Sequence, residues 1–135
     1  MIGMANLVWE SVDIKQAARK NGEPFASIGQ GRIALNPEAC ELIKNIYDYE
    51  YAEVMQAKSG NKVVKLGFRF IKTKTGTAIH ATRRKYKGEL VDGINFNCKA
   101  LIKRYFGETK ENCTTRHAVE LMGDNIIAID LFNEL

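Results

Sequence analysis

Apolar and polar residues alternate over several stretches of the chain, a pattern typical of strands that bury one face. In the clearest stretch the apolar positions are Val64, Leu66, Phe68 and Phe70. Lys65 and Arg69 lie between them and belong to the opposite face. Ser59-Gly60-Asn61 precedes this stretch and has the small, flexible residues of a tight turn. The pattern predicts a hairpin over residues 52–70.

A helical pattern begins at Asn36. Its side chain can cap the free amides of a first turn, and Pro37 then occupies the first helical position, where proline is tolerated. Apolar residues follow at helical spacing, namely Ala39, Leu42, Ile43 and Ile46. Two strand candidates, residues 25–29 and 31–36, come before this helix. The first half therefore reads strand, strand, helix, strand, strand.

The same order of elements recurs in the second half. Strand candidates at 78–86 and 93–97 precede a helix at 98–106 that ends at Gly107, and a hairpin over 116–132 turns at Gly123-Asp124-Asn125. Asn36 and Asn97 each follow a short apolar strand, 61 positions apart (97 minus 36), and each is expected to cap a helix. The match indicates an internal duplication, with a coincidence of common β and α patterns as the alternative.

We expect a mainly β fold with short helices (α+β), arranged as a pseudo-two-fold barrel of two ββαββ units. A chain of 135 residues is long enough for one domain with a hydrophobic core and short for two. We therefore predict a single domain over 1–135, with an accessory segment at 1–23, a first unit at 24–74 and a second unit at 75–135. Residues 13–20, followed by Asn21-Gly22, predict a short helix in the accessory segment.

Residues 25–72 resemble the AbrB-like swapped-hairpin regulators. The motif Gly31-Arg32-Ile33 stands where that family has Gly-Arg-Val or Gly-Arg-Ile, and a proline-containing helix start and a closing hairpin follow. The resemblance implies a cradle-loop barrel, built in that family from two identical chains and here from the two halves of one chain. It also implies DNA binding by basic residues near Arg32. A double-psi barrel is the alternative architecture, and both folds host several functions.

Basic residues are concentrated in one segment. The chain has a net charge of +4 and a pI of about 9.0, yet residues 54–88 contain ten lysines and arginines and no carboxylate. The remaining hundred residues carry ten basic and sixteen acidic side chains, a net of −6. A solvated surface normally mixes the two signs, so this segment favours a polyanionic partner. Its alternative is a lysine-rich hairpin that only improves solubility.

The sequence gives little support for catalysis. It has no GxSxG, Walker A, HExxH or cysteine-histidine motif, and its three cysteines form no CxxC pair. Glu38 and Glu41 suit the first turn of a helix, and His80 and His117 stand singly in strand patterns. We therefore predict a protein that is not an enzyme, with no catalytic residue, metal or cofactor. No basic leader or membrane-spanning apolar segment is visible, so we expect a cytoplasmic protein.

Three functions fit these features. The first is a small DNA-binding protein, such as a regulator, with duplex DNA or another polyanion as its partner. The second is a non-catalytic module that binds or sequesters a nucleotide-like anion in the barrel or at a homodimer interface. The third is a phage or mobile-element accessory protein that inhibits a host protein. The candidate binding residues are Arg32, Arg69, Lys72, Lys74, Arg83, Arg84, Lys85 and Lys87, with Arg32 and Arg84 expected to read bases.

Overall fold

The computed structural model describes Trp9 and residues 22–107 and 114–135 of the chain. The predicted helix at 13–20 lies outside the described residues, and so does Cys113. The strands are β1 Phe25–Gly29, β2 Arg32–Leu35, β3 Tyr51–Ser59, β4 Lys62–Ile71, β5 Ala78–His80, β6 Thr82–Tyr86, β7 Glu89–Asn97, β8 Thr115–Leu121 and β9 Ile126–Glu134. The helices are α1 Pro37–Cys40 and α2 Lys99–Phe106.

The nine strands form one antiparallel sheet that curls into a nearly closed barrel. Their order is β5-β3-β4-β9-β8-β1-β2-β7-β6. Strand β5 pairs with β3 at one end of this order, and β6 pairs with β7 at the other. Only Ala81 separates β5 from β6, and its amide donates to the Glu50 carbonyl over 2.8 Å. The stretch predicted as one strand at 78–86 is thus interrupted, and it bridges the two ends of the sheet.

Hairpins from the two halves of the chain alternate around this barrel. Going round it, β3–β4 is followed by β9–β8, then by β1–β2, then by β7–β6. The β3–β4 hairpin turns at Gly60-Asn61, and β8–β9 turns at residues 122–125, close to where the sequence predicts each turn. Because each hairpin borders hairpins of the other half, most strand contacts are long-range in sequence.

The alternating pattern sorts side chains into a core and an outer surface as predicted. Phe68 and Phe96 stack at the centre of the barrel with ring centroids 4.5 Å apart, and Phe70 packs against Phe96 at 6.0 Å. All three rings are buried, whereas Arg69 is exposed on the outside of β4. The inner faces therefore supply the hydrophobic core, and the polar residues between them cover the outer surface.

Helix α1 is shorter than the sequence predicts. The apolar spacing suggests a helix reaching Ile46, but α1 ends at Cys40, and a short 3-10 turn at Ile46–Asp48 follows. Asn45 adopts a left-handed conformation between the two, with φ of 57°. Ile43 and Ile46 are nevertheless buried. The apolar positions therefore reach the core along a turning path that redirects the chain towards β3.

Only the first of the two predicted helix caps is present. The Asn36 side-chain oxygen accepts from the Ala39 amide at 2.9 Å and from the Phe25 amide at 3.0 Å, and its amide group donates to the Glu23 carbonyl at 2.7 Å. The cap predicted at Asn97 is wrong, because Cys98 occupies the N-cap of α2 and makes no side-chain cap. Asn97 is instead the last residue of β7 and is exposed.

Replacing Asn36 by alanine is therefore expected to destabilise the protein by about 2 kcal/mol, because it removes a buried helix cap and two further, partly buried hydrogen bonds. The matched change Asn97→Ala should cost less than about 0.5 kcal/mol. Urea unfolding of both variants measures the difference. Equal costs would show that the Asn36 hydrogen bonds contribute nothing to stability.

In the part of the chain that the structure describes, no helix has the length and apolar character needed to cross a bilayer.

Candidate anion-binding cleft

A cleft of about 420 Å³ lies on the outer surface of β8, β1, β2, β7 and β6. Its floor follows one row of cross-strand partners, in which Arg116 pairs with Ser27, Ser27 with Ala34, and Ala34 with Asn95. The residues on either side of Ser27 and Ala34 in β1 and β2 are buried, so this row faces outwards. Because Ser27 and Ala34 are small, they leave a hollow in the middle of the row.

Three arginines surround this hollow. Arg32 comes from β2, Arg84 from β6 and Arg116 from β8, and each is exposed and lines the cleft. Among the described residues, none of the three forms an ion pair with a carboxylate. The Arg116 guanidinium lies over the Phe25 ring. The cleft is therefore a concentration of positive charge on a neutral floor.

The opposite side of the barrel, where β4 pairs with β9, is arranged differently. Lys65 forms an ion pair with Glu120, and Arg69 with Glu53, its cross-strand partner. Hydrogen bonding from Arg69 holds the pKa of Glu53 below its usual range. Thr75 also donates to Glu53, over 3.1 Å. Lys65 and Arg69 are thus neutralised by neighbouring carboxylates, unlike the three arginines of the cleft.

Arg84 reaches the cleft because of an irregularity in β7. Arg83 pairs with Ile94 and Lys85 with Leu90, so three residues of β7 lie opposite Arg84 alone. One of them, Gly93, has φ of +123°, and a Cβ added there would lie 2.4 Å from Arg84 Cδ and 3.2 Å from the carbonyl oxygen of Leu35. A glycine at this position therefore leaves room for the Arg84 side chain to cross β7.

Tyr47 supports the same irregularity from the neighbouring loop. Its hydroxyl accepts a hydrogen bond from the Gly93 amide at 2.8 Å, and the Arg83 guanidinium carbon lies 4.1 Å from its ring centroid. Arg83 also donates to the Val91 carbonyl at 3.1 Å and to Asp92 at 3.3 Å. Burial raises the pKa of Tyr47 to about 12, so its hydroxyl keeps its proton at neutral pH. Arg83 is thus held within the hairpin and does not line the cleft.

The predicted binding residues are consequently separated into three groups. Arg32 and Arg84 come together in the cleft, while Arg69 and Arg83 are engaged elsewhere by carboxylates. The other four are exposed lysines, of which two lie in the loop after β4 and two at the tip of the β6–β7 hairpin: Lys72, Lys74, Lys85 and Lys87. The hairpin lysines continue the strand that carries Arg84, and the Lys87 ammonium lies 5.4 Å from the exposed ring of Tyr86.

Arg116 belongs to the cleft, although the sequence alone does not indicate it as a binding residue. It lies far from the acid-free segment, and only the pairing of β8 with β1 places it beside Ser27. One local signal was present, because Arg116 alternates with His117 and Val119, both of which are buried. That pattern places Arg116 on the outer surface without revealing its neighbours.

The two histidines and the two described cysteines are held by packing and hydrogen bonds within the barrel. His117 is buried, with Nδ1 3.1 Å from the Asp130 carbonyl oxygen and its ring against Phe106. His80 is exposed and packs against Tyr51. Cys40 and Cys98 are buried and form no disulfide, and burial raises the pKa of each thiol to about 11. Within the described residues, no group of three or more histidine, cysteine or carboxylate side chains could hold a metal ion.

Comparison of the chain with protein-family models, with curated proteins and with solved structures finds no match.

Proposed function

We propose that this protein binds nucleic acid, with DNA as the expected partner, and that the arginine cleft holds the phosphates. The observation that carries the proposal is the convergence of Arg32, Arg84 and Arg116 on one hollow, with no carboxylate partner among the described residues. Like charges gathered in one cleft repel one another, and a bound anion relieves that repulsion. The planar donors of a guanidinium suit the oxygens of a phosphate diester.

The β6–β7 hairpin supports the same proposal. Lys85 and Lys87 extend the positive surface beyond Arg84, and Tyr86, 64% exposed, offers an aromatic ring at the tip. Exposed lysines of this kind add affinity for a phosphate backbone without reading its sequence. The sequence predicts base reading by Arg32 and Arg84. Because both surround the hollow together with Arg116, we propose phosphate contact as their main role.

A second candidate is a module that binds a nucleotide-like anion without turning it over. The volume of the cleft, about 420 Å³, falls in the range of small-ligand pockets and favours this alternative. Such a ligand would use the same three arginines, so the two functions differ in the length of the ligand rather than in the site.

We propose also that the barrel consists of two related ββαββ units. Two cross-strand pairs, Ile33↔Phe96 and Leu35↔Ile94, are related by an offset of 61 positions. Ile94 is the equivalent of Ile33 (94 minus 33), and Phe96 is the equivalent of Leu35 (96 minus 35), so each pair is the equivalent of the other. The pair Gly67↔Ala128, at the middle of the β4–β9 pairing, has the same offset (128 minus 67). Together with the alternation of hairpins, this offset favours a single-chain version of the AbrB-like swapped-hairpin barrel over a double-psi barrel.

Equilibrium binding across a salt series tests the function. Fluorescently labelled single-stranded and duplex DNA would be titrated with the protein from about 50 to 200 mM salt. Three phosphate contacts predict that log affinity falls with log salt with a slope of about −2 for a single strand or −3 for a duplex. Binding of AMP alone, with a shallow slope, would favour the second candidate. An absence of binding to DNA and RNA at about 50 mM salt would overturn the nucleic-acid proposal.

A further inference from the structure

One wall of the cleft carries an aromatic ring beside its arginine. Phe25, at the start of β1, lines the cleft and is half-buried. The guanidinium carbon of Arg116 lies 4.7 Å from the centroid of this ring. Aromatic rings and guanidinium planes are the two protein surfaces on which nucleic-acid bases stack. Phe25 and Arg116 therefore form a stacking platform at the edge of a phosphate-binding cleft.

The floor of the cleft offers a polar group next to this platform. Asn95 lines the cleft, is half-buried, and its side-chain amide makes no hydrogen bond with any described residue. An amide has both a donor and an acceptor, which matches the edge of a base. The Ser27 hydroxyl, also on the floor, adds a second such group. The cleft thus has arginines for the phosphate of a nucleotide, an aromatic ring for the face of its base, and a side-chain amide for the edge of its base.

We infer that the cleft binds one unpaired nucleotide of a single strand. Arg32, Arg84 and the edge N–H groups of Arg116 contact the phosphates, the base stacks on Phe25 and on the face of the Arg116 guanidinium, and Asn95 contacts the base edge. This inference rests on the proposed function and deepens it, because it specifies the form of nucleic acid. A base within a duplex is stacked on both faces and cannot present a face to Phe25, whereas an unpaired base can. The site therefore selects single strands, or looped-out nucleotides, over regular duplex.

Two probes of equal charge separate the contribution of the base from that of the phosphates. One is a labelled eight-residue oligodeoxyadenylate, and the other is an eight-residue strand of the same backbone whose positions are all abasic. The native protein should bind the adenine strand about tenfold more tightly than the abasic strand, since base stacking is the interaction that the abasic strand lacks. It should also prefer the adenine strand to a duplex containing the same sequence.

The variant Phe25→Leu keeps apolar bulk and removes the aromatic face. In this variant the tenfold difference between the adenine and abasic strands should disappear, while the salt slope is unchanged. Phe132→Leu is the control, because Phe132 also has a cation over its ring, Lys62 at 4.2 Å, but is more exposed than Phe25 and lines a second cleft. It should retain the tenfold difference. The comparison of two strands on the native protein still tests the inference if Phe25→Leu fails to fold.

The possible results distinguish failure of the stacking inference from failure of the proposed phosphate-binding function. Equal affinity of the native protein for the adenine and abasic strands, with a slope near −2, would overturn the stacking inference and leave the phosphate-binding function in place. Tighter binding of duplex than of single strand would do the same. An absence of binding to every oligonucleotide would overturn both. Loss of base preference in Phe25→Leu, with its retention in Phe132→Leu, supports the inference.

Discussion

Replacing Arg32, Arg84 and Arg116 together by glutamine is expected to weaken binding to single-stranded DNA about a hundredfold at about 100 mM salt. The loss corresponds to about 3 kcal/mol, or roughly 1 kcal/mol for each phosphate contact. The slope of log affinity against log salt should flatten by about 2, because each lost contact no longer releases a counterion. Stability should change little, since all three side chains are exposed and unpaired among the described residues.

A second cleft provides the charge-matched control. It has a volume of about 410 Å³, is lined by Lys58 and Arg104, and lies beside Lys62, whose ammonium covers the Phe132 ring. Changing these three residues to glutamine removes the same charge of +3 from the protein. Affinity should fall less than about threefold, as expected for a change in long-range attraction alone. Equal weakening by the two triple variants would show that total charge, and not the arginine cleft, governs binding.

Gly93→Ala is expected to lower both stability and affinity. Its φ of +123° disfavours a side chain, and the new Cβ would approach the Leu35 carbonyl oxygen to 3.2 Å, which together should cost about 2 to 3 kcal/mol of the free energy of unfolding. The Cβ would also meet Arg84 Cδ at 2.4 Å. Because the arginine side chain can move, that clash is relieved by displacing Arg84 from the cleft, and affinity should fall about fivefold, the share of one arginine contact.

Gly88→Ala is the control that measures the cost of a side chain at positive φ without any clash. Gly88, in the turn between β6 and β7, has φ of +83°, and an added Cβ there would meet no atom within 4 Å. This variant should lose about 1 kcal/mol of stability and bind DNA as the native protein does. Thermal or urea unfolding and the binding titration measure both quantities. A Gly93→Ala protein that binds as tightly as Gly88→Ala would contradict the assigned role of Gly93 in placing Arg84.

The sequence predicts those parts of the fold that depend on local patterns. The alternation from Val64 to Phe70 determines which face of β4 is buried, and Gly60-Asn61 determines its turn, so the β3–β4 hairpin follows from residues close together in the chain. The length of helix α1 is predicted less well from the sequence. Its apolar spacing is helical, yet the chain turns after Cys40 because the same residues can reach the core without continuing the helix.

The binding site is harder to predict because strand register is a long-range property. The acid-free segment indicates both Arg69 and Arg84, but Glu53, one position outside that segment, lies directly across from Arg69 and neutralises it. Arg116 enters the cleft only through the pairing of β8 with β1. Arg84 enters it only through the irregularity at Gly93. A count of charges along the chain contains none of this information.

Direct contact between the cleft arginines and phosphate can be measured in an NMR titration that follows the Nε–Hε signals of the arginines. The chain has seven arginines, so each signal can be assigned by substitution. On addition of the eight-residue adenine strand, the signals of Arg32, Arg84 and Arg116 should shift. Those of Arg69 and Arg83, whose Nε–H groups already donate to Glu53 and to the Val91 carbonyl, should stay in place. Saturation of binding with no shift at the three cleft arginines would contradict phosphate binding by the cleft.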